Sequence, residues 1–229
     1  MVGRTRTIDF GVNCYLIDVE GGYVLIDTSF PDKQDKLDAE LAGAGCVPAN
    51  DLRLIVLTHG DIDHAGNCAH LRRTHDVPIA IHREDAEMVR TGDMEVGRKP
   101  TPDRHTVAFR FITWVAGLLS KFKAGVDFET FEPDVLLEDG QDLSSYGLNA
   151  RVVHLPGHSS GSIGVLTGGG DLFCGDLLVN LLRPSLHYYI DDVVRANESI
   201  RRLSGLGVAT VYPGHGKPFP LNELPVLGR

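Results

Sequence analysis

The chain has little cysteine, no long apolar run and no excess of positive charge, and each absence argues against a class of protein. Its four cysteines are widely spaced and form no C-x-x-C pair, so we expect reduced thiols and a cytoplasmic protein without a disulfide framework. Residues 1–9 lack the apolar stretch of a signal peptide. No run approaches the roughly 20 apolar residues that cross a bilayer, so no integral membrane segment is expected.

Charge and missing motifs narrow the set of partners further. The net charge is −9 at pH 7 and no basic cluster offsets it, which argues against a nucleic-acid partner. Neither a nucleophile elbow nor a phosphate-binding P-loop is present. With 229 residues, 42% of them hydrophobic, the chain can form one domain with a large core, and a small-molecule substrate is the expected partner.

Apolar runs and turn residues predict alternating strands and helices over most of the chain. The predicted strands are 13–19, 23–28, 52–57, 77–81, 148–155, 162–166, 171–174 and 208–212. The predicted helices are 33–43, 65–74, 83–91, 107–122 and 190–203. Strands, polar residues and a helix follow one another in both halves, so a two-layer sheet core with outer helices would bring the strand ends to one edge.

Residues 83–135 interrupt this pattern and are predicted to be a helical insertion. Within them, 92–104 are rich in charge, Gly and Pro, as expected of a loop, and 107–122 form a strongly apolar helix. That helix is too short to span a membrane. It could be a core helix, a lid over the substrate, or a contact surface for a homodimer or a membrane.

Four side chains of metal-ligand type occur within six residues, directly after an apolar strand. They are His59, Asp61, Asp63 and His64. Two imidazoles and two carboxylates that converge from one extended turn suit one or two divalent cations of the Zn, Fe or Mn type. Surface loops also carry such strings by chance, so a metal site requires further ligands from elsewhere in the chain.

Three more residues of ligand type stand at the ends of predicted strands. His158 and His215 each follow a Pro-Gly pair, and Asp176 follows a glycine. Taken singly, a His in a turn is more often a surface or core residue than a ligand. Because each of these residues ends an apolar strand, the three together with the earlier four indicate one shared metal site.

The set resembles the metallo-β-lactamase superfamily, whose usual motifs are Thr-His-x-His-x-Asp-His-x-Gly, Pro-Gly-His, Gly-Asp and Pro-Gly-His-Gly. The corresponding residues are 58–66, 156–158, 175–176 and 213–216. The motifs cover nearly the whole chain apart from the insertion. The resemblance implies a four-layer αββα sandwich of the α+β class in a single domain.

The resemblance also implies which residues would hold metal ions. One ion would be bound by His59, Asp61 and His158, and a second by Asp63, His64 and His215, with Asp176 bridging the two. Two ions roughly 3.5–4 Å apart share a water and make it hydroxide, which attacks a carbonyl or a phosphorus centre. Asp63 would orient that nucleophile or take up a proton, and Asp27 would hold the second nitrogen of a ligating imidazole. Weaker candidates for contacts around the metals or with the substrate are His154, His187, Tyr188 and Tyr189.

Asp61 departs from the family pattern, which usually has His at this position. A carboxylate still ligates, but its negative charge and hardness favour Fe or Mn relative to an all-His zinc site. We expect two divalent ions, with zinc first and iron or manganese as alternatives.

The expected activity is hydrolysis of an ester-like bond in a lactone, a thioester or another carboxylic ester. The apolar segment 107–122 indicates a partly hydrophobic substrate. Three alternatives stay open. They are a phosphodiesterase, which uses the same kind of metal pair, an iron-dependent oxygenase or oxidoreductase, and a ligand-binding or sensor protein without turnover.

Overall fold

Two mixed β-sheets lie face to face and carry helices on their outer surfaces. These features come from a computed structural model that describes residues 3–47, 51–105 and 128–225. Within those ranges the strands are β1 (Thr5–Asp9), β2 (Asn13–Val19), β3 (Gly22–Ile26), β4 (Leu52–Val56), β5 (Ile79–His82), β6 (Arg104–His105), β7 (Val135–Leu137), β8 (Ala150–His154), β9 (Ile163–Thr167), β10 (Asp171–Asn180), β11 (Ser185–Leu186), β12 (Tyr189–Ile190), β13 (Thr210–Gly216) and β14 (Phe219–Pro220). The α-helices in the same ranges are α1 (Gln34–Ala44), α2 (Ile62–Ala65), α3 (Cys68–His75), α4 (Ala86–Thr91) and α5 (Val193–Leu203).

The first sheet has the strand order β1-β2-β3-β4-β5-β7, and the second has β14-β13-β10-β9-β8 with β11 paired along β10. In the first sheet β1 to β3 are antiparallel, whereas β3, β4, β5 and β7 run parallel. In the second sheet β10 pairs parallel with β13 and antiparallel with β9. The parallel strands of each sheet therefore end at a common edge, where the polar residues that follow them can meet.

Alternation of side chains along the strands builds three apolar layers. Val24 and Ile26 of β3 point between the sheets and join Val165 and Phe173 of the second sheet in one cluster. Leu25 points the other way, into a layer shared with α1 and α3. A third layer lies between the second sheet and α5. This order of helix, sheet, sheet and helix confirms the predicted αββα sandwich.

Three element boundaries near the strand ends differ from the predicted ones. α2 begins before the predicted helix 65–74, so Asp63 and His64 lie on a helical turn and not on an extended one. β10 continues to Asn180, because it gains pairing partners on both sides from β13 and β11. α5 begins only after Asp192, whose side chain caps it, since the two residues of β12 pair with β6.

The apolar segment 107–122 lies outside the described residues, so its predicted roles as lid, core helix or dimer contact stay predictions. The structure does describe a loop at 92–103, between α4 and β6. Its residues Lys99 and Asp103 bond to the start of α5, through Asp191 Oδ1 and the backbone N–H of Val193. In the described ranges, no helix has both the length and the apolar character needed to cross a membrane.

Candidate metal centre

The carboxyl ends of β3 and β4 are joined by a buried aspartate. Asp27 follows β3 and accepts hydrogen bonds from the backbone N–H and the hydroxyl of Thr58, which follows β4, each at 2.8 Å. The backbone of Asp27 is left-handed, with φ of 59°. Among residues other than glycine, Asp and Asn tolerate that conformation best. Asp27 therefore links two neighbouring strand ends directly beneath the motif at 58–66.

Asp27 also orients two imidazoles. Nδ1 of His64 lies 2.8 Å from Asp27 Oδ2, and Nδ1 of His59 lies 3.0 Å from the hydroxyl oxygen of Thr58. Since that hydroxyl donates its proton to Asp27, its oxygen accepts from His59. When such a ring binds a metal in its neutral form, its proton is on Nδ1 and Nε2 presents the lone pair.

The imidazoles of the second sheet are held in the same way by backbone carbonyls. Nδ1 of His158 lies 3.0 Å from the carbonyl oxygen of Tyr189, and Nδ1 of His215 lies 2.7 Å from that of Gly11. Each ring nitrogen donates to its carbonyl, which leaves Nε2 as the acceptor. In their neutral form, all four imidazoles thus have the tautomer that metal ligation through Nε2 requires.

One group of ligand atoms gathers around Asp176 from both sheets. It contains Asp63, His64, Asp176 and His215, each offering one atom within 4.8 Å of the others. Nε2 of His64 and Nε2 of His215 both lie 3.4 Å from the carboxylate of Asp176, and Nε2 of His215 lies 3.5 Å from Asp63. These separations leave room for a cation between the donors.

A second group shares Asp176 with the first. It contains His59, His158 and Asp176, again with ligand atoms within 4.8 Å of one another. Asp61 adjoins this group, because its Oδ2 lies 2.9 Å from Nε2 of His158 and 3.4 Å from Nε2 of His59. The structure therefore brings together all seven residues that the motifs single out.

Three atoms at the centre of the two groups have no hydrogen-bond partner among the described residues. They are Nε2 of His59, Nε2 of His64 and Oδ1 of Asp176, and all are buried. An unsatisfied buried polar atom is costly and rare, and three at one point suit a bound ion. Imidazole and carboxylate donors in this number fit two divalent cations of the Zn or Fe type.

Asp176 and His215 lie inside β10 and β13, not at strand ends as the sequence predicts. The pairing of these two strands shifts register on both sides of Gly175, and this irregularity turns Asp176 toward the first sheet. A Cβ at Gly175 would overlap the hydroxyl of Thr58, and one at Gly214 would overlap Asp176 itself. Glycine at both positions lets the two sheets approach closely enough to share ligands.

The electrostatics of the cluster favour cations. Burial lowers the pKa of His64, but the charges of Asp176, Asp27 and Asp63 outweigh burial and hold that pKa well above its usual range. Burial also lowers the pKa of His215, but its interactions with Asp176 and Asp63 outweigh burial and raise that pKa to about 10. A site that holds protons this strongly has an excess of negative charge, which divalent ions would neutralise.

Asp61 is paired with an arginine that the sequence analysis did not identify. Arg98 donates to Asp61 Oδ1, and its side chain is only 4% exposed. Burial raises the pKa of Asp61, but the neighbouring imidazoles of His158 and His59 and the charge of Arg98 hold it well below the usual range. Arg98 lies in the loop at 92–103, where nothing in the local sequence sets it apart from its charged neighbours.

Asp85, just before α4, is a second residue missed from the sequence. It is buried and accepts hydrogen bonds from the backbone N–H groups of Gly60 and Gly161 and from the hydroxyl of Ser159. It therefore joins the turn that contains His59 to the turn that follows His158. No spacing pattern indicates this contact, since residues far apart in the chain take part.

A cavity of about 560 Å³ opens beside the ligand groups. It is lined by Phe30, Asp61, Asp63, Met94, Glu95, Arg98, His158, Asp176, Leu181, His187, Tyr188, Tyr189 and His215. His187, Tyr188 and Tyr189, predicted as weaker candidates, all line it. Nε2 of His187 lies 3.5 Å from Asp176, and burial lowers the pKa of His187 to about 4. A reacting bond in this cavity would lie against the candidate ligands.

His154 does not line the cavity. Its ring stacks on that of His82, with centroids 4.1 Å apart, and its Nε2 bonds to the carbonyl of Ser160 at 2.9 Å. With Glu84 the two rings form a third group of ligand type. The contact with Ser160 places His154 as a support for the turn that follows His158.

This fold and its motifs match one known family. A family model described as the Metallo-beta-lactamase superfamily matches residues 7–215. The chain belongs to the metallo-β-lactamase superfamily. The predicted resemblance is thereby confirmed.

Curated relatives of this superfamily chain include named hydrolases. It is 28% identical over 198 residues to the acyl-coenzyme A thioesterase MBLAC2 of Bos taurus, covering 79% of this chain and 61% of that protein. It is 27% identical to the probable metallo-hydrolase YflN of Bacillus subtilis (strain 168), covering 90% of this chain and 81% of YflN. The chain spans about three fifths of the length of the MBLAC2 proteins that it matches.

Among solved structures, TTHA1623 in a di-iron-bound form is 26% identical to this superfamily member. The match has a TM-score of 0.66 and covers 97% of this chain and 98% of the other. That relative holds iron, so membership of the superfamily does not by itself specify the metal.

Proposed function

We propose that this protein is a metal-dependent hydrolase of acyl thioesters, or of closely related carboxylic esters, with an apolar acyl group. The observation that carries the proposal is the convergence of four imidazole Nε2 atoms and three carboxylates beside a cavity of about 560 Å³. The thioesterase and metallo-hydrolase names of two relatives support it. The residues that line the cavity include no serine or cysteine, so they form no nucleophilic catalytic triad.

We assign the ligands as the motifs imply. His59, Asp61 and His158 would hold one ion, Asp63, His64 and His215 a second, and Asp176 would contact both. Divalent ions at these places would supply Lewis acidity, which lowers the pKa of a bound water. The two sheets provide the donors in a geometry already fixed by hydrogen bonds to each Nδ1, so little reorganisation accompanies binding.

Asp63 is the residue that we assign to proton transfer. Its side chain is 21% exposed and lines the cavity, whereas Asp176 is almost fully buried. The Asp63 carboxylate can therefore accept a proton from the water that attacks the substrate carbonyl. His187 and Tyr188 line the same cavity and can contact the substrate oxygen.

Apolar side chains at the cavity support an acyl substrate. Phe30 and Leu181 line it and are 36% and 58% exposed, and Met94 lies beside them in the lining. Exposed apolar side chains around a polar centre are typical of a site that binds an apolar group. An acyl chain on this surface would leave the thioester carbonyl at the ligand groups.

We propose zinc as the metal, with iron as the alternative because of Asp61 and the di-iron relative. We also propose a reducing, cytoplasmic setting, because all four cysteines are free and buried. Metal content of protein purified without added metal decides between the ions. Stoichiometric iron together with oxygen consumption would favour an oxidoreductase over the hydrolase.

The main test is turnover of acyl-coenzyme A esters of increasing chain length, with a lactone and a phosphodiester as competitors. We expect thioester hydrolysis by the metal-loaded protein, and a loss of roughly a hundredfold or more in kcat for Asp63→Asn. Asp38→Asn is the matched control, since Asp38 is exposed and pairs only with His70 among the described contacts. Two bound metals without thioester turnover, or turnover of the phosphodiester alone, would overturn the assignment.

Chain-length preference tests the acyl surface separately. Leu181→Ser should reduce kcat/KM about tenfold for a long acyl chain and little for acetyl, because one buried leucine contact contributes on the order of 1–2 kcal/mol. Leu136→Ser is the control, since Leu136 is 43% exposed and does not line the cavity. Equal losses for long and short chains would contradict the acyl surface.

A further inference from the structure

The ion pair of Asp61 and Arg98 occupies the position where the superfamily motif usually has a histidine. We infer that the pair acts as one charge-neutral unit in place of that imidazole, with Arg98 as the positioning residue for the ligand Asp61. The inference rests on the ligand assignment of the proposed function. It goes beyond that assignment because it makes metal binding at this position depend on a residue outside every motif.

The guanidinium of Arg98 is held from several sides. It donates to Asp61 Oδ1, to the carbonyl of His158 at 2.9 Å and to the carbonyl of Met94 at 2.9 Å. Its centre lies 5.2 Å from the ring centroid of Tyr189. A planar donor fixed in this way takes up one carboxylate oxygen of Asp61 and leaves the other for the metal.

The second oxygen of Asp61 points to the ligand group. Oδ2 lies 2.9 Å from Nε2 of His158 and 3.4 Å from Nε2 of His59. The carboxylate therefore offers one donor atom, as an imidazole would. Arg98 prevents it from turning both oxygens toward a cation.

The charges balance as well as the geometry. Asp61 contributes −1 and Arg98 contributes +1, so the pair adds no net charge to the site, as a neutral imidazole adds none. Arg98 is only 4% exposed, so solvent screens this balance weakly. Arg98 thereby offsets the extra negative charge that Asp61 alone would bring to the metal site.

The loop that carries Arg98 is fixed independently of the metal ligands. The backbone N–H of Lys99 donates to Asp191 Oδ1 at 2.9 Å, and its ammonium lies 3.0 Å from both Asp103 and Asp192. These contacts tie the loop to the start of α5. The guanidinium therefore stays beside the ligand group even when residue 61 is changed.

The variant Asp61→His restores the histidine that the family motif usually has at this position. Asp61→His leaves Arg98 buried beside a divalent cation without its carboxylate, and the repulsion should expel that ion. Adding Arg98→Met to this variant removes the positive charge of the guanidinium but keeps most of the apolar volume of the side chain. The double variant should then bind metal as a neutral imidazole site.

The experiment measures metal ions per chain after dialysis against a weak chelator, for the chain of 229 residues loaded with zinc. We expect two ions for the parent, about one for Asp61→His, and two again for Asp61→His/Arg98→Met. Arg90→Met is the control and should keep two, since Arg90 pairs with Glu132 in an exposed ion pair away from the cavity. Circular dichroism checks that each variant is folded.

Rescue of metal binding in the double variant Asp61→His/Arg98→Met distinguishes the inferred role of Arg98 from a purely structural one. If Arg98 only supported the loop, its removal would worsen the Asp61→His variant, and that result would overturn the inference. Full metal content in Asp61→His alone would overturn it too. Should Asp61→His fail to fold, Asp61→Asn with and without Arg98→Met gives the same comparison. Metal content is independent of turnover, so a parent that binds two ions but hydrolyses no thioester contradicts the proposed substrate and not the pair.

Discussion

Asp27 shows how much of the centre depends on one residue outside the lining of the described cavity. It bonds directly to His64 and, through the hydroxyl of Thr58, determines the tautomer of His59. Its carboxylate also accepts from the backbone of Thr58 and so links β3 to β4. Two ring orientations and one strand contact therefore rest on the same two oxygens.

The variant Asp27→Asn tests this role. Asparagine keeps the size of the side chain and tolerates the left-handed backbone, but its single acceptor oxygen cannot serve both Thr58 and His64. We expect zinc affinity to fall about 10- to 100-fold with the secondary structure retained. Chelator competition measures the affinity. An affinity within twofold of the parent would show that the tautomers do not depend on Asp27.

His215 makes the metal-free protein sensitive to pH. Its pKa is raised from the ordinary value of 6.5 to about 10 in the folded protein. Between these values the folded state keeps a proton that the unfolded chain releases, so stabilisation by His215 is complete below pH 6.5 and is lost as the pH rises to 10. We expect the free energy of unfolding of the metal-free protein to decrease over this range.

Urea unfolding at several pH values from 6.5 to 10 measures this dependence, and His215→Gln should flatten it. Because metals compete with the same protons, zinc affinity should rise with pH over the same range. A metal-free parent and variant with parallel pH profiles would contradict the role given to His215.

At the scale of elements, the ligand turns after β4 and β8 are joined by Asp85 at the start of α4. Its carboxylate accepts from Gly60 at 3.2 Å, from Ser159 at 2.6 Å and from Gly161 at 2.7 Å. The two turns belong to different sheets, and each contains or follows a candidate ligand. A helix start thus sets the distance between them.

Asp85→Ala leaves three buried donors without their acceptor. We expect the free energy of unfolding of the metal-free protein to fall by about 3 kcal/mol, since each unsatisfied donor costs on the order of 1–3 kcal/mol and the effects overlap. Glu84→Ala is the control, because the neighbouring Glu84 side chain is 44% exposed. Equal stability of the two variants in urea unfolding would contradict the role of Asp85.

At the scale of the whole molecule, the candidate ligands come from both sheets. Asp63 and His64 follow strands of the first sheet, whereas Asp176 and His215 lie within strands of the second. A cation held by both pairs would add a connection across the sandwich. Removal of the metal should therefore weaken the contact between the sheets and not only the site.

We expect a chelator to lower the Tm of the loaded protein, and added zinc to restore it. Thiol labelling gives an independent measure, because burial raises the pKa of Cys68 and of Cys174 to about 12 and keeps both unreactive in the native state. Labelling should be slow with metal bound and faster after chelation. Identical Tm and labelling rates in the two states would contradict this connection.

The sequence predicts the αββα class, most strands and helices, and the seven residues that the structure brings together. These features are local, because apolar periodicity and short motifs lie within a few residues of one another. Asp176 and His215 are the exceptions in position, since β10 and β13 continue past them and place them within strands. The roles of 107–122 as lid, core helix or dimer contact, and the single-domain boundaries, stay predictions.

Folding adds the partners that no local pattern indicates. Arg98 meets Asp61 across 37 positions of the chain, and Asp85 meets Gly161 across 76. Such contacts depend on how two sheets and a loop pack together, which spacing along the chain does not encode. Residue types and their spacing therefore predict a metal site. The charge balance at Asp61 and the shape of the cavity arise only when distant segments come into contact.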